Sequence, residues 1–214
     1  MPVASGFLEL AQPTIAQGLA ELADRGVRRV IAVPLLLFTA VHAKDDVPAE
    51  VAQAAQAVGM EMVGQSAALG LHPRLLELSR IRFEEACNRL LSGTVLLMVG
   101  RGGSDETALE EMRGYSAALS ASLGVWGTTA FVAVAQPSLE DALADIGRSQ
   151  HKAIVVLPHL LFQGEVLATI RDRVIEARLR FSDKRWLMAE HLGVHPLLIE
   201  TVLERMHAAI AAAT

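Results

Sequence analysis

Short apolar, β-branched runs recur along the chain, each followed by a longer stretch in which apolar positions return at helical spacing. In the first 92 residues the pattern predicts a strand at "ASGFLEL" (4–10) and a helix opened by Pro13, where the missing N–H costs nothing. It then predicts a strand at "VRRVIAV" (27–33) and a helix capped by Asp45 or Asp46 with Pro48 in its first turn. A weaker strand follows at "GMEMVGQ" (59–65), then a long helix over 73–91 that begins after His72.

The same succession returns in the second half, and the chain matches itself block by block. "AQPTIAQGLAEL" (11–22) pairs with "AQPSLEDALADI" (135–146), "VIAVPLLLF" (30–38) with "IVVLPHLLF" (154–162), and "LGLHPRLLE" (69–77) with "LGVHPLLIE" (192–200). Pro137 follows Pro13 by 124 positions, Pro158 follows Pro34 by 124, and Pro196 follows Pro73 by 123. A shift this constant over three blocks marks an internal duplication, with halves 1–92 and 93–214 joined near "LSGT". Strand–helix alternation with apolar strands predicts an α/β protein of two similar, doubly wound, flavodoxin-like parallel-sheet halves.

The halves are unequal. The second opens with an extra strand, "TVLLMVG" (94–100), the loop "RGGSD" and a helix over about 105–122, whose counterpart would fall before Met1. The repeat arithmetic predicts that about 30 residues belong before Met1, since an inner strand of a doubly wound sheet would otherwise be missing.

Composition narrows the function classes. Of 214 residues 52% are hydrophobic, 20% charged and 4% aromatic, with net charge −5. That balance fits a globular core and disfavours a nucleic-acid partner, which calls for basic surface and stacking aromatics. No apolar run reaches the ~18 residues of a membrane span, and no signal peptide is visible. A single cysteine, Cys87, cannot make an internal disulfide and is read as helix packing; a cytoplasmic location is expected.

Open α/β sheets bind ligands beyond the carboxyl ends of their strands. There the first half offers Glu9 and His42, the latter in "LLFTAVHAKDDVP" (36–48); the second half offers Ala133 and Val166 at the matching places. The duplicated fold manages without these polar groups in one copy, so a site is their natural use in the other. An imidazole and a carboxylate suit a borderline divalent metal such as Co²⁺, Fe²⁺, Ni²⁺ or Zn²⁺, or serve as general base and electrostatic partner. The glycine-rich turn "VGRGGSDE" (99–106) offers Arg101 and the N–H groups of Gly102, Gly103 and Ser104 to an anion, and a helix N-terminus beside them. It is neither a P-loop nor a dinucleotide fingerprint. His72 and His195 sit in the shared "LG-x-HP" turn and read as structural; His159 replaces Leu35 and is a reserve candidate for the site.

Taken together, "FLELAQPTIAQGL", "RRVIAVPLLLFTAVHAKDDVP", "LGLHP", "LLMVGRGGSD", "AQPSLEDAL" and "IVVLPHLLF" resemble the sirohydrochlorin chelatases, the class II chelatases of siroheme and cobalamin synthesis, over essentially the whole chain. The resemblance implies two α/β halves facing across a cleft and insertion of Co²⁺ or Fe²⁺ into sirohydrochlorin without a nucleotide. It implies no cofactor beyond the substrate metal, no nucleic-acid or membrane partner, and a monomer or homodimer. The family pattern places a glutamate after the second strand and a histidine after the third, which Glu9 and His42 match. Its first histidine, in an "HGS"-type loop, would precede Met1, and the second-half counterpart is Arg101. On this reading His42 and Glu9 hold the ion or accept a pyrrole proton, and activity falls below a pH of roughly 6.5 as the imidazole protonates. Phe38 covers the ring face, and Lys44, Arg101 and the Gly102–Ser104 amides receive substrate carboxylates. Two other readings stay open: a metal or tetrapyrrole carrier using the same cleft, and an α/β enzyme that holds a phosphate on "RGGS".

Overall fold

The computed structural model describes residues 1–8, 11–39, 46–88 and 92–213. Along the chain lie α1 (Ile15–Asp24), β1 (Arg29–Ala32), α2 (Val47–Ala57), β2 (Glu61–Gln65) and α3 (Pro73–Ala86). There follow β3 (Thr94–Gly100), α4 (Glu106–Leu123), β4 (Trp126–Phe131), α5 (Leu139–Arg148), β5 (Ala153–Pro158), α6 (Glu165–Arg180), β6 (Arg185–Met188) and α7 (Pro196–Ala212). They form two compact units, Met1–Gly70 with Val202–Thr214, and Leu71–Thr201. The repeat halves group segments by likeness and these units group them by packing, so α3, a first-half element, belongs to the unit of β3–β6 and packs on β5 and α4.

The larger unit is built on a parallel sheet in the order β4-β3-β5-β6. Thr94–Gly100 is buried throughout because β3 has a strand on each side, with Leu97 in register between Thr128 and Val156. Side chains of β3 and β5 meet α5 and α6 in a core that includes Val95, Leu97, Leu139, Ile154, Val156, Ile170 and Trp186. Such continuous apolar strands are what helices on both sheet faces require.

Among the described residues the smaller unit has only β1 and β2 paired in parallel, and both strands stay partly exposed. Its core is Leu19, Leu22, Val51, Ala54, Ala55 and Met60.

"ASGFLEL" forms no strand over its described residues; Phe7 makes an isolated bridge to Thr14. Its repeat counterpart, β4, pairs with β3 alone, and the described first half holds no copy of β3. Pro13 does not open α1; the helix starts at Ile15 with Thr14 as its cap. The helix expected to reach residue 91 ends at Ala86, where Cys87 closes it with its N–H on the Phe83 carbonyl. Asp46 is the residue before α2, without a side-chain cap bond, and Asp45 lies outside the described residues.

Local devices are duplicated more faithfully than the sheets. Thr14 caps α1 by accepting from the Gln17 N–H, and Ser138 caps α5 by accepting from the Asp141 N–H, each three residues on. The Phe7 N–H donates to the Pro13 carbonyl at 2.9 Å and the Phe131 N–H to the Pro137 carbonyl at 3.0 Å, closing equivalent loops. His72 Nδ1 accepts from the Arg74 N–H and His195 Nδ1 from the Leu197 N–H, both at 3.2 Å. The two "LG-x-HP" histidines therefore act as helix caps. Among the described residues no helix is long and apolar enough to cross a membrane.

Candidate functional site

The two residues on which the metal reading rests, Glu9 and His42, lie outside the described residues, as does Lys44. Phe38 is described and is partly buried, in the segment that follows β1. Among the described residues no group of three His, Cys, Asp or Glu side chains could hold a metal ion.

The other half of the expected site is in view, at the carboxyl end of β3. Arg101 is exposed, and its guanidinium has no hydrogen bond or ion pair among the described residues. Gly102 follows with φ +85, a conformation that favours glycine, and it is pressed against the neighbouring loop: an added Cβ would stand 2.0 Å from the Ala133 carbonyl oxygen. Gly103 differs, with nothing within 4 Å of an added Cβ. The two loops are zipped by backbone bonds, Val132 N–H to the Gly100 carbonyl at 3.1 Å and Ala133 N–H to the Arg101 carbonyl at 2.9 Å. Ala133, the counterpart of Glu9, is thus a packing partner of the "RGGS" turn in this unit.

One expectation about this turn needs correction. The start of α4 is not available to an anion as a set of open donors. Asp105 accepts from the N–H of Thr107 at 2.9 Å and of Ala108 at 3.3 Å, so a carboxylate of the protein's own already occupies the helix N-terminus.

The loop after β4 carries features that the residue pattern did not reveal. Arg113 bonds Glu106 at 2.6 Å, donates to the Gln136 carbonyl at 3.3 Å and sits 5.8 Å over the Phe131 ring, tying α4 to this loop. Within the loop Val134 has φ 62, and the Ala135 N–H donates to the Ala133 carbonyl at 2.6 Å across it. An i→i+2 bond around a positive-φ residue makes a strained γ-turn, and for a β-branched residue the strain is of order 1–3 kcal/mol.

His159, the reserve candidate, is not at the surface. It is 2% exposed, its ring lies 4.3 Å from that of Tyr115, and burial drives its pKa down to about 3. Tyr115 is buried too and bonds Ser79 at 2.9 Å; burial pushes its hydroxyl pKa up, against the Ser79 bond. The histidine is neutral across the working range and belongs to the interior beneath the end of β5. Val166, the counterpart of His42, is in the first turn of α6 and packs against the core of its unit.

Comparison with solved structures fits this architecture to a known fold. SirB from Bacillus subtilis with Fe³⁺ superimposes with a TM-score of 0.82 at 23% identity, covering 94% of this chain and 79% of that one. The sirohydrochlorin chelatase SirB from Bacillus subtilis subspecies spizizenii in complex with cobalt gives 0.77 at 24%, covering 95% and 79%. At these identities the likeness is one of fold. The chain itself belongs to the CbiX family, whose model matches residues 1–86 and 95–209. A sirohydrochlorin ferrochelatase of Priestia megaterium is 31% identical over 191 residues, 88% of this chain and 71% of the relative. A sirohydrochlorin cobaltochelatase of the same organism is 25% identical over 209 residues, 93% of this chain and 66% of the relative.

Proposed function

We propose that this chain is a metal chelatase that inserts Co²⁺ or Fe²⁺ into sirohydrochlorin, without nucleotide, for cobalamin or siroheme biosynthesis. The observation that carries the reading is the match to the CbiX family over residues 1–86 and 95–209, joined to a relative of 31% identity named as a sirohydrochlorin ferrochelatase. The ion is a substrate, and nitrogen and oxygen donors accept either metal, so cellular supply is a sufficient basis for choosing between them.

The chemistry asks for three things: an ion held near the macrocycle, removal of two inner pyrrole protons, and a surface on which the ring is held while metal enters. The reading gives the first two to His42 and Glu9. A neutral imidazole can donate its lone pair to the ion or take a proton, and a carboxylate balances the cation's charge. The third goes to the loops after β3 and β4, with Phe38 and Lys44 contributed from the first half. What supports this part is Arg101, a guanidinium without a protein partner among the described residues, beside the Gly102–Ser104 turn. An arginine so placed suits a bidentate contact with a rim carboxylate of the tetrapyrrole.

The test is an insertion assay on the protein, following the absorbance change of sirohydrochlorin with Co²⁺ and with Fe²⁺ in parallel, against the same mixtures in buffer. Acceleration with either metal is expected. Tight binding of sirohydrochlorin with no acceleration by either ion would turn the reading into that of a carrier.

A further inference from the structure

Val134 holds a backbone conformation that its own side chain opposes. Among the described residues it is the one non-glycine with positive φ, and a branched Cβ makes that region costly. Glycine or asparagine would relieve the strain. Inside the protein nothing rewards the valine, because it is 77% exposed. Isolated exposed aliphatics are common on protein surfaces, so exposure alone says little. Exposure joined to a strained turn says more, since strain persists where the surroundings fix it and clusters at ligand sites. Here the surroundings do fix it: bonds from Val132, Ala133 and Phe131 anchor the loop, and Arg113 holds the Gln136 carbonyl.

Strand order gives the turn its place. β3 lies between β4 and β5, so Arg101 follows the middle strand, Val134 follows one flank and Phe162 follows the other. Phe162 is 53% exposed. The flanking strands are two strand spacings apart, about 10 Å. One sheet end thus presents an aliphatic group, a cation without a partner among the described residues and an aromatic ring. A broad flat apolar disc with carboxylates on its rim matches that set.

We propose that Val134 is a substrate-contact residue: the γ-turn presents its isopropyl group to the face of the tetrapyrrole, with Phe162 on the opposite flank and Arg101 at the rim. The inference rests on the chelatase reading for the identity of the ligand.

The experiment compares metal-free sirohydrochlorin binding, thermal unfolding and insertion kinetics for wild type, Val134→Gly, Val134→Ala and the control Leu179→Ser. Leu179 is as exposed, at 78%, but sits near the far end of α6. Val134→Gly removes strain and contact together, so it melts higher than wild type while binding sirohydrochlorin about five- to tenfold more weakly, with KM raised and kcat within about twofold. Val134→Ala keeps the turn, melts below the glycine variant and loses part of the affinity. Leu179→Ser binds as wild type does. Binding by Val134→Gly within twofold of wild type overturns the proposal and leaves the chelatase reading standing. Wild type that binds the tetrapyrrole but inserts no metal overturns the chelatase reading alone, and wild type that binds none overturns both.

Discussion

β1 and β5 descend from the same segment of the repeat, yet one is half-exposed and the other is buried along its whole length. Both run parallel to the strand that follows them, β2 and β6. What separates them is the other edge, where β5 pairs with β3 and β1 has no strand among the described residues. The duplicated caps and loop closures show that local instructions survive in both copies. Burial is conferred by the number of neighbours a strand has, and a polar site is free to evolve in one copy when the other shows that the fold does not need it.

The strongest challenge to this contrast is functional. His42→Ala is expected to lower metal insertion at least about 100-fold with unchanged far-UV circular dichroism, whereas Val166→Ala at the matching place stays within about twofold. Equal losses would erase the asymmetry between the halves. Next comes packing: Ile154→Ala, in the larger core, should cost about 2–5 kcal/mol in urea unfolding, and Val30→Ala, its partly exposed counterpart, about 1 kcal/mol. Matching costs would mean that β1 is as well covered as β5.

The loop contact gives the third test. Gly102→Ala forces a Cβ onto the Ala133 carbonyl at a positive φ and should cost about 2–4 kcal/mol, while Gly103→Ala, facing open space, stays within about 0.5 kcal/mol. Thermal melts of the pair decide it.

Acid supplies the smallest effect. His159 has its pKa lowered to about 3 by burial, against an ordinary value near 6.5. Between these values the unfolded chain takes up a proton that the folded one refuses, so stability falls as pH drops through that window and is intact above it. From pH 7.5 to 4.5 wild type should lose about 2–3 kcal/mol more than His159→Leu, which restores the residue of the other half. Parallel acid limbs for the two proteins in urea titrations would contradict the burial of this ring.

Much of the fold is legible because the repeat shows several elements twice and because the unduplicated β3 and α4 carry strong local signals. β3, α4 and the "RGGSD" turn fall where the apolar run, the glycines and Asp105 indicate. The failures have physical reasons. "ASGFLEL" has strand composition, but composition supplies no partner, and a strand without a neighbour is not one. Pro13 reads as opening a helix that starts at Ile15 behind the Thr14 cap, because a proline one residue before the cap and one inside the first turn look alike in sequence. His159 reads as a candidate ligand until tertiary packing closes Tyr115 over it. The Val134 turn had no signal at all, since its residues are those of an ordinary extended segment. Cys87, read as helix packing within a helix to residue 91, is buried as expected but stands at the C-cap of α3, one residue past its end.

The edge of β1 that has no strand neighbour among the described residues has a chemistry of its own. The N–H groups of Glu61, in β2, and of Ser66, just after it, donate to the Arg28 and Ala32 carbonyls, so by strand alternation the peptide groups of Arg29, Ile31 and Val33 face away from β2. A row of outward amides and carbonyls on an apolar strand is a template for any extended chain that drifts by, with Arg29 and Glu61 the charges that guard its near end. Pairing of such a segment would lengthen the sheet by one strand, and light scattering against protein concentration is the measurement that detects it.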